Sequence, residues 1–576
     1  MRTTFFLLTC GWVAVSPASD EGRALKQSDV VMMYQTDEQT YAEYGATVLA
    51  WGGKPTPASR QAAKGIRLFS SVGMVTEFAQ FHERFRDTYE QALCRDINGE
   101  PVKVPWLTDH KHEGIPYWWC CTAQPVFRQY LRERVIETMR AGADGLHVDD
   151  HLGTSGGLWL GICFCDRCVA GFRGYLKTLT EDELKRAGVS SPDQFDFSQA
   201  VKEWMRAATE NEIRKPTGHP LWSRWTAYQC RAAAAFMQEL RELAASTAGH
   251  PVPVAANAGL LWPLQLSDYK CLDLFSAETD HAAPARKWSA RPLVAYRLAD
   301  ALDRPYAATA SGQDWAFIKE KNLPGLVRGW IAMSYAAGNC FMAPHHQWCY
   351  TAEKGTHWYD GPRERFAPLY QFVRHNAQWF DGFESRADLG VVLPHRSFVK
   401  HTERWLELCD QLSAANISYR LFVAGDEIID HPLVADQLKS MRLLLVTDRD
   451  DLLAADQQTL DGSVDRSRIC TSVDEAVRRI QPPIRTASDA GVWIFARQNS
   501  GKFAVHLLNR DYDPDRDDAK PASRLKVRFD RSALEIGDSA QCVYLEAGRE
   551  PVPLKWDGDA VEIPQLGLWG LIAITP

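Results

Sequence analysis

After its first residues the sequence contains no apolar run of the ~18 residues that a membrane span requires, so it offers no candidate for one. It also lacks an excess of basic charge. With 65 Lys and Arg against 73 Asp and Glu, the net charge of −8 argues against nucleic acid or an anionic membrane as the principal partner. The 14 cysteines form no evenly spaced framework of the kind that staples small secreted domains. No internal repeat is visible beyond a strand–helix alternation. The middle of the chain has no Gly-x-Gly-x-x-Gly loop, which leaves nucleotide binding without support.

What is present is a chain of 576 residues, 45% hydrophobic and 24% charged, too long for one core and expected to divide into two to four domains. Its 20 tryptophans exceed what a core of this size needs. Surplus aromatics suit a site that stacks on flat apolar faces, and pyranose rings present such faces. Met1-Arg2, the apolar run after it and the small residues of Ser16-Pro17-Ala18-Ser19 read as a secretory signal over residues 1–20, which implies a secreted or periplasmic protein.

Eight short apolar runs alternate with helical patterns: Val30–Tyr34, Ala46–Trp51, Ile66–Ser71, Leu146–Asp149, Val252–Ala256, Leu272–Ser276, Pro305–Thr309 and Asn339–Ala343. This alternation predicts an α/β fold, a (β/α)8 TIM barrel over residues 28–382, with its main insertion at Thr178–Leu243. Residues 386–481 then read as a small flavodoxin-like α/β domain with a parallel sheet. Residues 482–576 read as a terminal β-sandwich of short alternating strands.

The chain is organised around Gly142–Leu176. A buried strand there ends on Asp149 and Asp150, a Gly-rich loop follows, and Cys163-x-Cys165-x-x-Cys168 leads into an amphipathic helix. Three cysteines within six residues can reach one ion, and Cys120 or Cys121 would supply the fourth ligand of a closed tetrahedral site, for which zinc is the natural metal. Such a site has no open position and would hold the loop rather than do chemistry.

Carboxylates at the C-terminal ends of barrel strands occupy the position where barrel enzymes keep their active sites. Asp149 and Asp150 qualify after the fourth run and Glu278 after the sixth, so that a pair could flank a glycosidic bond as acid and as base or nucleophile. Side chains alternate along a strand, so one of the two aspartates should face the substrate, and Asp150 is preferred. Candidates for sugar contacts on the same face are Trp51, His151, Asn257, Asp280, Asp314, Trp315, His345, His346 and Trp348. Asp314 is suited rather to cap the helix that follows it. His345 and His346 raise the alternative of a metal-dependent hydrolase, although no carboxylate lies at ligand spacing within their loop.

Cys121-Thr-Ala-Gln-Pro125-Val-Phe-Arg128, and Cys163-Phe-Cys165-Asp-Arg-Cys168 with Phe172-Arg173-Gly-Tyr175-Leu176, resemble segments of the family-42 β-galactosidases among the glycoside hydrolases. The resemblance runs over nearly the whole chain. It implies structural zinc on Cys121, Cys163, Cys165 and Cys168, and a middle domain that makes homotrimers. The catalytic positions depart from the family's pattern. Its acid/base glutamate sits in Asp-Asn-Glu-Tyr-Gly, and the matching stretch here is Asp149-Asp150-His151-Leu152-Gly153. Its nucleophile ends the seventh strand, where this chain has Ala308-Thr309-Ala310-Ser311-Gly312. A carboxylate pair on strands four and six is similar instead to the arrangement in α-galactosidase-type barrels. The sequence therefore predicts a divergent glycosidase that is exo-acting on a terminal sugar. The rival expectation is a carbohydrate-binding relative without catalysis.

Overall fold

The structure, a computed structural model, describes residues 24–209, 212–486 and 491–576; the secretory signal expected at 1–20 lies outside them. Eight parallel strands form one sheet in chain order: β1 (Val31–Met32), β2 (Val48–Gly52), β3 (Arg67–Gly73), β4 (Gly145–Asp149), β5 (Val254–Ala256), β6 (Leu274–Thr279), β7 (Tyr306–Ala310) and β8 (Cys340–Phe341). The ends of the sheet meet where Met32 bridges Ala343 in parallel and the Ala343 amide donates to the Val31 carbonyl at 2.7 Å. A TIM barrel results. Its strands read as unbroken apolar runs because helices cover one face and the barrel interior the other. Val30, Val31, Leu49, Val72, Leu146, Val148, Phe275 and Ala307 are all essentially inaccessible.

The helices lie where the apolar periodicity places them, at Pro125–Arg140, Trp222–Ala248, Arg291–Ala301 and Pro324–Ala336. Thr180 caps Glu181–Arg186 in a reciprocal box with Glu183, inside the insertion between β4 and β5. After β8 the chain forms an antiparallel hairpin, His346–Thr351 with Gly355–Asp360, which the sequence did not announce.

Beyond the barrel, a four-stranded parallel sheet orders Tyr419–Ala424, Leu389–Pro394, Leu443–Leu445 and Ile469–Cys470, the flavodoxin-like arrangement. Two antiparallel sheets of six and four strands make the C-terminal sandwich. One strand of the larger sheet, Glu384–Ser385, precedes the parallel sheet in the chain and pairs with Arg497 and Gln498. The sandwich is fused to the barrel by a common core. Trp569 is 2% exposed and packs against Tyr335, Phe372 and Phe380. The Arg497 guanidinium donates to the Ala337 carbonyl at 2.8 Å and also to the Phe383 carbonyl.

Candidate active site

The C-terminal ends of β4, β5 and β6 carry Asp149, Asn257 and Glu278 side by side. Adjacent strands lie about 4.8 Å apart, so β4 and β6 stand roughly 10 Å from each other with β5 between them. Asn257 bridges that gap. Its amide nitrogen donates to Asp149 Oδ1 at 3.1 Å, and its amide oxygen accepts from the Glu278 backbone N–H at 3.3 Å. Thr76, at the end of β3, donates to Asp149 Oδ2 at 3.2 Å. All three bridged residues are half-buried, which leaves the carboxyls enclosed yet reachable from the barrel mouth.

Crowding sets the acidities. Burial, and then the charge of Asp149, push Glu278 up to about 8, against hydrogen bonds from Asn257 and the Gly312 amide that favour its ionised form. Burial also raises Asp149, but Asn257, Thr76 and the Asp150 amide all stabilise its carboxylate. Asp150 is raised well above the usual carboxylate range by burial and by both neighbours. Its backbone is left-handed, φ 50°, and its side chain takes no hydrogen bond from the described residues. The site therefore sets a carboxyl biased towards its protonated form beside a buried carboxylate with more hydrogen bonds, an arrangement able to divide the acid and base roles on a glycosidic bond.

Tyr34 completes this cluster, and sequence reasoning missed it. Its hydroxyl is held well above its ordinary pKa by burial and by the charges of Glu278 and Asp149, so it stays a proton donor. The signal was its place at the end of the first apolar run. Trp51 forms the floor beside it. Its indole N–H donates to the Ser276 carbonyl at 3.1 Å, and its ring stacks on His147 at 4.7 Å. His147 is pushed down to about 3 by burial, so it is a neutral ring under a neutral indole.

The hairpin after β8 makes one wall. His346 stacks on Trp358 at 4.4 Å, Tyr34 meets Trp358 edge-on at 5.5 Å, and His346 Nδ1 lies 2.6 Å from Asp360. His345 bonds to Thr36 Oγ1 at 3.1 Å. Neither histidine belongs to a metal-ligating group among the described residues. Trp348 lies over Gly312, where an added Cβ would come within 2.5 Å of the indole. Gly312→Ala is therefore expected to displace Trp348 and the Gly312 amide that reaches Glu278, destabilising by about 1–3 kcal/mol. The checks are the denaturant midpoint and an accompanying loss of kcat. Three tryptophans are exposed: Trp159, in the connection after β4, by 58%, Trp262, after β5, by 68%, and Trp358, on the hairpin, by 40%. Of these, only Trp262 carried a sequence signal, as the aromatic after the fifth run.

Other expected contacts move to structural roles. His151 is 1% exposed with both nitrogens engaged, Nδ1 2.7 Å from Asp268 and Nε2 3.1 Å from Gln265, so it offers no atom to a sugar. Burial opposes its charge, but Asp268 and Gln265 overcome that and raise its pKa, so the pairing favours the protonated ring. Asp268→Asn removes the carboxylate that supports the protonated ring and should lower stability. Because the folded pKa is raised, the pair's contribution is complete below pH 6.5, the ordinary histidine value, and fades as pH rises through the folded value. Thermal melts of the variant and wild type should accordingly differ most in mild acid.

Asp314 is 2% exposed and accepts from Ser311 Oγ and from the amides of His281 and Ala283. It binds the loop after β6 to the helix after β7 rather than a ligand. Trp315, 1% exposed, donates to Thr309 and is core. Asp280 is exposed and paired with Arg291 at 3.2 Å.

Four buried cysteines gather beside this site. Cys121 Sγ lies 3.7 Å from Cys165 Sγ and 3.6 Å from Cys168 Sγ, and Cys163 completes the group. Metal–sulfur bonds of about 2.3 Å at tetrahedral angles put the sulfurs about 3.8 Å apart, against about 2.05 Å in a disulfide. The donor set thus fits a four-coordinate thiophilic ion. The Arg95 amide donates to Cys163 Sγ at 3.3 Å, as amides do to metal-bound thiolates. The cluster is tied to the loop after β4. Next to Cys121, Thr122 bonds Thr154 through both backbone and hydroxyl, and the Trp119 indole donates to the Gly153 carbonyl at 3.1 Å.

No family model matches the chain. The fold is shared with β-galactosidases. The β-galactosidase from Bacillus circulans sp. alkalophilus superimposes with a TM-score of 0.62 at 13% identity, over 95% of this chain and 99% of that one. The α-L-fucosidase isoenzyme 2 from Paenibacillus thiaminolyticus does so with a TM-score of 0.60 at 12% identity, over 96% and 99%. In sequence the chain is similar to an alpha-agarase from Alteromonas agarilytica, 22% identical over 93% of this chain. The chain spans 40% of the length of that curated relative.

Proposed function

We propose that the protein is a glycoside hydrolase that cleaves with a carboxyl pair at the barrel mouth, Glu278 as general acid and Asp149 as nucleophile or base. The observation that carries this is the Asn257 bridge, which couples one hydrogen-bonded carboxylate to one carboxyl raised to about 8. Asp149 takes the place that sequence reasoning gave to Asp150. This is a divergent arrangement relative to family-42 enzymes, because β7 ends in Thr309-Ala310 without a carboxylate. The alpha-agarase relative and the fucosidase and galactosidase folds support a galactose-like sugar within an oligo- or polysaccharide. Zinc is the metal we assign to the four thiols, in a structural role. Secretion and a homotrimer belong to the same reading, to be checked by N-terminal sequencing of exported protein and by light scattering.

The test is hydrolysis of a panel of chromogenic α- and β-glycosides together with agar-type polysaccharides. Release of single sugars from chain ends supports exo-action. Exposed Trp159 and Trp262 favour a second reading, in which a chain lies along the mouth and is cut internally; a rapid fall in viscosity with few new ends would establish it. Tight sugar binding without turnover on every substrate would make the protein a binding relative instead.

A further inference from the structure

The connection between β3 and β4 holds a second group of metal-ligand type, made of nitrogen and oxygen rather than sulfur. His82 lies on the helix Phe78–Arg84, and His112 and Glu113 on the small hairpin Lys111–His112 with Ile115–Pro116. One ligand atom from each of the three lies within 4.8 Å of the other two. The imidazoles meet edge to face at 5.3 Å. His82 is only 3% exposed, and both its Nδ1 and His112 Nε2 are buried without a hydrogen-bond partner. Leaving such a nitrogen unsatisfied costs about 1–3 kcal/mol, and each instance calls for an explanation.

We propose that His82, His112 and Glu113 bind a divalent ion of the zinc and nickel class. Two imidazoles and a carboxylate are the donors that such borderline ions take, and three protein ligands leave a position open to water. Glu113 is presented by the turn, with φ 51° there and 84° at Gly114. The Arg86 guanidinium holds its carboxylate with two hydrogen bonds of 2.8 Å, and each oxygen keeps a further lone pair for a metal. Glu83, with Oε1 3.6 Å from His112 Nε2, adds negative charge beside the site. The ion would pin the hairpin to the helix in the same connection that delivers Cys121 to the thiol cluster.

The experiment is calorimetric titration of zinc chloride into tag-free full-length protein whose thiol site has been saturated with zinc, with melting temperature followed in parallel. One further equivalent should bind, and it should raise the melting temperature. His112→Ala should weaken that binding by about a hundredfold or more, and Glu113→Gln by about tenfold, while the zinc held by the thiols is unchanged. Because His82 is buried and its replacement perturbs packing, the two exposed-side variants decide the matter. Absence of a further equivalent in the wild type, or equal binding by His112→Ala, would overturn the proposal.

Discussion

Glu278→Gln is expected to lower kcat/KM by a thousandfold or more on whichever glycoside the wild type cleaves, with little change in KM. The amide keeps the shape of the side chain and its contact with Asn257 but has no proton to give the leaving oxygen. The pH profile is a second readout. In the proposed role Glu278 is needed protonated, so activity should fall as pH rises through about 8. Asp149 acts ionised, so the acid limb should lie above its ordinary 3.8. The same displacement appears in stability with a definite sign. The folded pKa of Glu278 lies above its ordinary 4.5, so its contribution is complete below that pH and is lost as pH climbs to about 8. Glutamine loses nothing over this window. The inactive variant should therefore outlast wild type in alkaline melts, by on the order of a few kcal/mol. An equally active Glu278→Gln enzyme would refute the assignment.

Cys121→Ser should release the bound metal and cost about 4 kcal/mol or more, because breaking a closed tetrathiolate site removes a folding restraint outright. Cys121 carries the sulfur 3.6–3.7 Å from two of its partners. Activity should fall too, although no sulfur touches substrate. Cys121 is flanked in the chain by Thr122 and Trp119, which bond Thr154 and Gly153 in the loop behind Asp149, so the zinc assigned above would act through them. Metal analysis after gel filtration, melting temperature and kcat together check the chain of effects. Full metal content in the variant would break it at its first link.

The barrel was legible because every strand is buried on both sides and therefore reads as a continuous apolar run. The carboxyls at β4 and β6 were legible because strand ends are positions of known use. What stayed hidden depended on neighbours distant in sequence. His151 sits in a motif that suggests a sugar contact, and only the fold reveals that Asp268 and Gln265 enclose it. The choice between Asp149 and Asp150 turns on Asn257, more than 100 residues away. The hairpin wall with Trp358 shows no apolar periodicity because its buried positions include the polar Gln347 and its half-buried ones mix polar and aromatic side chains. Tyr34 ends a core strand, and its meeting with Glu278 arises only when the barrel closes.

The strand Glu384–Ser385 has a consequence for how the chain is made. It leaves the ribosome before the parallel sheet of the middle region, but its partners Arg497 and Gln498 come more than 100 residues later. Trp569, which packs on the barrel face formed by Tyr335 and Phe372, follows Phe372 in the chain by about 200 residues. The barrel must wait through the synthesis of some 200 residues, with an apolar flank bare, for its cover to arrive. Truncation before the sandwich would make that vulnerable interval permanent, so the barrel that carries the carboxyls needs the sandwich to cover its apolar flank.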